Sequence, residues 1–147
     1  LKTLLTNIQA ALREKLPYIR PADIYITPHE NFIPAGVQFP AVGIKDGNIK
    51  SEVLMGGDLS DRSKAVRLIP YVKMFDGEKS VIGHGADKGI LEVAEDIKDA
   101  LKDNFLGISG MEDVTCTDEK ASESFGEPGD GLVRKIIIYV YEIREDT

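Results

Sequence analysis

His29 and His84 are the only imidazoles in this chain and Cys116 its only thiol, while 25 Asp and Glu residues supply carboxylates. Each histidine stands in a Gly- or Pro-bearing stretch, where a general base or a metal ligand could sit. Neither has a partner at a useful spacing. A zinc site needs three or four His, Cys or carboxylate ligands, and the chain has no HExxH, no CxxC and no Cys-His cluster. Both therefore read as surface histidines. Asp58 with Asp61, Glu112 with Asp113, and Glu127 with Asp130 fall in polar segments off the spacing of a calcium loop. They read as solvated loop charges, because paired carboxylates do acid-base work only when burial separates their pKa values. Cys116 alternates with polar residues and lacks any nucleophile signature, so it reads as a small buried hydrophobe.

The run Gly83-His84-Gly85-Ala86-Asp87-Lys88-Gly89 precedes a helical pattern, and free amides at a helix N-terminus bind anions. It is not GxxxxGK[ST], and it misses GxGxxG by one position. A linker with permissive backbone angles accounts for it better. The expectation is thus a chain with no catalytic residue, no cofactor site and no metal site.

A length of 147 residues with 42% apolar side chains suits a single domain, 1–147, with one continuous core. Eighteen basic against 25 acidic residues leave a formal charge of −7, and no dense basic stripe is present for reading phosphates, which argues against specific nucleic-acid binding. The longest apolar run, Ile136 to Tyr141, is far below the roughly 20 residues that cross a bilayer. A soluble, unexported protein is expected, with no membrane partner. The lone cysteine fits a reducing compartment.

The elements follow from periodicity. Leu1, Leu4, Leu5, Ile8, Leu12 and Leu16 form one helical stripe, which Pro17 ends. Ile24 to Thr27 is a short β-prone segment stopped by Pro28, and 28–40 is too rich in Pro and Gly for a regular element. Asp46-Gly47 predicts a tight hairpin turn with Ile44 opposite Ile49. The polar stretch 54–63 predicts a loop. Lys64 to Phe75 predicts a strand with Val66, Leu68, Val72 and Met74 on one face, placed near an edge or given a bulge by Pro70. Asp76-Gly77 predicts a second turn into a short strand, Ser80 to Ile82. A second helix is expected from a cap at Asp87, with Ile90, Val93, Ala94, Ile97, Leu101 and Phe105 buried and Gly107 as its stop. Val114 to Thr117 reads as a strand and 118–131 as a long acidic loop. The closing strand, Leu132 to Arg144, is apolar on both faces and needs cover on both. The fold class is α+β: a mostly antiparallel sheet of about five strands packed on two helices, in the order α-β-β-β-β-α-β-β.

That order resembles the bacteriophage tail terminator, or tail-completion, proteins. The likeness is carried by the helix LLTNIQAALREKL, the strands FPAVGIKDGN and KAVRLIPYVKMF, the helix KGILEVAEDIKDALKDNFLG and the closing strand LVRKIIIYVYEIRED. The resemblance implies a non-enzymatic virion protein, assembled in the bacterial cytoplasm, that self-associates as a ring, commonly a hexamer. Such a ring caps the tail tube, stops its polymerisation and meets the head completion proteins. DNA passes through its lumen without specific binding, and an acidic channel would not hold phosphate. Another head-tail completion protein or a baseplate subunit is the alternative within the structural class. A small-ligand module or enzyme is the alternative outside it and would need a concave apolar pocket.

A ring would also cover the second face of the closing strand. Ile137, Tyr139 and Tyr141 are the candidate subunit-interface residues, because tyrosine suits surfaces that are half dry and half wet. The loops 54–63 and 118–131 are expected to join them.

Overall fold

The computed structural model of the protein describes residues 1–30, 32–53, 57, 59–74, 77–84, 88–125 and 131–146. The first stripe forms helix α1 (Lys2–Lys15), which buries Leu4, Ile8 and Leu12. Leu16 caps it by donating its amide to the Leu12 carbonyl, and Pro17 cannot extend the ladder. One 3-10 turn, Pro21–Asp23, leads into strand β1 (Ile24–Ile26), which lies parallel to β2 (Ala41–Val53) with Ile24 beside Val42. Strand β2 runs antiparallel to β3 (Leu59–Lys73). After α2 (Gly77–Ile82) and α3 (Ile90–Leu101) come β4 (Met111–Glu119), β5 (Glu123–Phe125), β6 (Leu132–Arg134) and β7 (Ile137–Asp146). Strands β7 and β6 lie end to end along the free side of β3, and β4 and β5 lie end to end outside them. The class is α+β as expected, with seven strands in one sheet and three helices among the described residues, where about five strands and two helices were read.

The period of two along each strand sorts the side chains. Val42, Ile44, Val66, Leu68, Val72, Ile137, Tyr139, Tyr141 and Ile143 meet the stripes of α1 and α3 in the main core. On the reverse face Ile69, Tyr71 and Ile136 form a smaller cluster, covered by Ile33 and Phe39 from the irregular stretch 28–40. That stretch is pinned by polar bonds. Asp23, buried, takes two bonds from Arg20 and the amide of Gln38, while Arg20 also donates to the Gly36 carbonyl. Glu30 pairs with Arg67, and its carbonyl accepts from Tyr71 and Arg134.

Asp46-Gly47 is not a turn. Strand β2 continues through it to Val53, Ile44 lies opposite Leu68, and Ile49 lies opposite Lys64. The register slips by one residue between Asp46 and Ile49, so the dipeptide makes a β-bulge. Glycine is needed there for space: a Cβ on Gly47 would lie 2.9 Å from the Cβ of Ala65. Of the predicted loop, 54–56 and 58 lie outside the described residues, and 59–63 is strand.

Pro70 sits in a strand paired on both sides, not at an edge. Its carbonyl accepts from the Lys135 amide at 3.2 Å, but its ring nitrogen has no hydrogen to return to Lys135. The ladder breaks there, between Leu68 opposite Ile137 and Tyr71 opposite Arg134. The missing donor divides the closing strand into β6 and β7.

Three further expectations are corrected. Ser80 to Ile82 is the end of helix α2, not a strand. Helix α3 opens at Ile90 with Gly89 as its cap residue; Asp87, like Asp76 of the second Asp-Gly, lies outside the described residues. The helix also ends at Leu101, short of Gly107, so Phe105 is 45% exposed instead of completing the stripe. The chain turns there through Asp103 and Leu106, both at positive φ. Part of the predicted acidic loop is sheet, since β4 reaches Glu119 and β5 pairs with β6; residues 126–130 lie outside the described residues.

Candidate subunit-contact surface

Ile137, Tyr139 and Tyr141 occupy alternate positions of β7 and point under the helices, where they are 0%, 4% and 0% exposed. They are core residues of the single chain, which corrects their assignment to a surface shared with a neighbour. Burial pushes the Tyr139 hydroxyl up to about 12 and raises that of Tyr141 further, so both stay neutral.

The other face of β7 is covered only in part, Ile138 packing against the cluster of Ile69, Tyr71 and Ile136. Ile138 and Val140 are half-buried there, beside half-buried Ala65 of β3. Asn48, Lys50, Ser63, Ala65 and Val140 line a shallow dent next to the bulge. The polar margin is already paired: the Ser63 hydroxyl reaches both Glu142 oxygens at 2.8 Å, and Arg144 bridges Asp61 at 3.0 Å and Glu112 at 2.9 Å. The sheet has two long margins. Strand β1 covers only 42–44 of β2, and β4 pairs with β7 alone, so 45–53 and 111–119 are unpaired edges among the described residues.

His29 and His84 are exposed and far apart in sequence, and among the described residues no three His, Cys, Asp or Glu side chains come together to hold a metal ion. Cys116 is exposed on the edge strand β4, not buried as expected. Partial burial nevertheless raises its pKa, away from a reactive thiolate. At the start of α3 the Gly89 amide already donates to Glu92 Oε1 at 3.3 Å, so the chain's own carboxylate takes the place of an anion.

A charge network that no local pattern announces ties the helical layer to the sheet edge. Glu119 of β4 accepts from Lys98 of α3 at 2.6 Å and from Lys135, which is buried at the break between β6 and β7. Burial opposes the Glu119 charge, but the bonds from the two lysines outweigh it and hold the carboxyl below its usual range. A folded pKa below the unfolded one contributes stability above the unfolded value and loses it as pH falls through the folded value. Glu119→Gln is therefore expected to cost about 2–3 kcal/mol at neutral pH by leaving Lys135 uncompensated. In thermal melts across pH, that deficit should shrink as pH falls below the ordinary carboxylate range and be gone once pH is under the lowered folded value. A deficit that persists in acid would mean that Glu119 acts through packing and not through its charge.

No protein-family model and no curated protein matches the chain. The geometry itself defines a class: an α+β domain with helices on one sheet face and the other face partly bare. Among those residues no helix is long and apolar enough to cross a membrane.

Proposed function

We propose that the protein is a structural subunit of a phage or prophage tail, one that closes the tube as a homo-oligomeric ring and meets the head completion proteins. The observation that carries this reading is the one-sided helical cover. Ala65, Ile138 and Val140 form an apolar floor between paired charges on a sheet face that the chain leaves partly open. Head-to-tail rings need two different patches on each subunit, and the open face together with the unpaired edge of β4 offers them. The likeness of element order to tail terminators supports the choice of assembly, and a net charge of −7 suits a lumen through which DNA slides without being held.

Purified chain should form closed particles of several copies, visible by negative-stain microscopy and weighed by light scattering. Val140→Asp should lower that mass while leaving the circular dichroism spectrum unchanged. An unaltered particle mass would remove this face from the assembly. In the source phage or prophage, deletion of the gene should produce overlong or headless tails; tails of normal length carrying heads would overturn the reading.

A further inference from the structure

The free edge of β2 is complementary to itself. Beyond the bulge, Ile49 to Val53 is a regular strand whose partners on β3 run from Lys64 to Ser60. Lys50 and Glu52 lie opposite Ser63 and Asp61 and share the face away from the helices, whereas Ile49 lies on the helical side and is 44% exposed. Within one chain neither Lys50 nor Glu52 enters an ion pair among the described residues, and both are exposed. An exposed edge carrying an isolated apolar side chain is a template for another strand.

We infer that this edge pairs with the same edge of a second copy, antiparallel about a two-fold axis through Ser51. That register sets Lys50 opposite Glu52, and symmetry makes the match twice. The neighbouring registers that keep side chains on their faces are excluded by charge. Centring on Lys50 sets lysine against lysine, and centring on Glu52 sets glutamate against glutamate. A slip by one residue brings opposite faces together. The other free edge lacks this property: β4 carries Glu112, Asp113, Asp118 and Glu119 and has two register irregularities, so it repels its own copy. The pairing joins two sheets into one, and it stands apart from the ring proposed above, which draws on the face bearing Val140.

Sedimentation velocity over a range of concentrations tests it, carried out on Val140→Asp protein so that ring contacts do not mask the dimer. The expected result is a monomer–dimer equilibrium whose dissociation constant rises about tenfold or more in Lys50→Glu and in Glu52→Lys, because each sets like charges opposite one another twice. The double variant Lys50→Glu/Glu52→Lys should dimerise again, and an equimolar mixture of the two single variants should form a heterodimer. A chain that stays monomeric throughout overturns the inference. So do single variants that dimerise like their parent, or a folded double variant that fails to recover. Failure of the ring would leave all of these results unchanged, because they are read on Val140→Asp protein.

Discussion

Tyr141→Asp should yield no stably folded protein at ambient temperature, whereas Val140→Asp, one residue away on the same strand, should fold and melt close to the parent. Tyr141 is wholly buried beneath the helices, between Lys64 of β3 and Val114 of β4. Removing a buried ring costs about 3–5 kcal/mol, and an unpaired carboxylate in its place costs several more. A domain of this kind has about 5–15 kcal/mol in total. Val140 is half-exposed on the opposite face, where a carboxylate keeps its water. Far-ultraviolet circular dichroism and thermal melts of the two purified variants separate these outcomes. Equal behaviour of the two would mean that the faces of β7 are not sorted as described. The same contrast explains why charged substitutions at Tyr139 or Tyr141 test the core and not an interface.

Gly110→Ala should lower stability by about 3 kcal/mol, or roughly 6–12 °C in melting temperature for a chain of this length. Gly110 leads into β4 at a φ of 83°, and a Cβ there would stand 2.3 Å from the Arg144 carbonyl oxygen of β7. Backbone cannot yield as a flexible side chain can, and the Gly110 carbonyl already accepts the Arg144 amide at 2.9 Å. Gly107→Ala provides the control. Its φ is also positive, at 68°, but a Cβ there meets nothing within 4 Å, so only the backbone strain of about 1 kcal/mol remains. Calorimetry of both variants gives the steric part by difference. If the two melt alike, the close approach to β7 contributes nothing.

Helices α1 and α3 and the alternation along β3 and β7 could be read directly, because a run of one period buries one face whatever the partner is. Val66, Leu68 and Val72 share a face with one another and are buried together, as their spacing requires. Asp46-Gly47 misled because its preference is local, while the β2–β3 pairing continues for residues on either side and tolerates a bulge at the glycine. Ser80 to Ile82 misled for a related reason: a segment so short takes its state from its neighbours. Glu119, Lys98 and Lys135 lie on three elements and carry no shared motif, so their convergence had no signal along the chain.

Composition and periodicity determined the α+β class and the acidic charge, which segments carry buried faces, and that Pro70 must interrupt a ladder. They could also show that the closing strand is apolar on both sides. Which side meets the helices depends on register, and a shift of one residue exchanges the two faces at no cost to the pattern. Only the tertiary structure decided that Ile137, Tyr139 and Tyr141 go inward, that Ile138 and Val140 stay at the open face, and that β2 keeps a free edge, because these follow from which strands lie side by side.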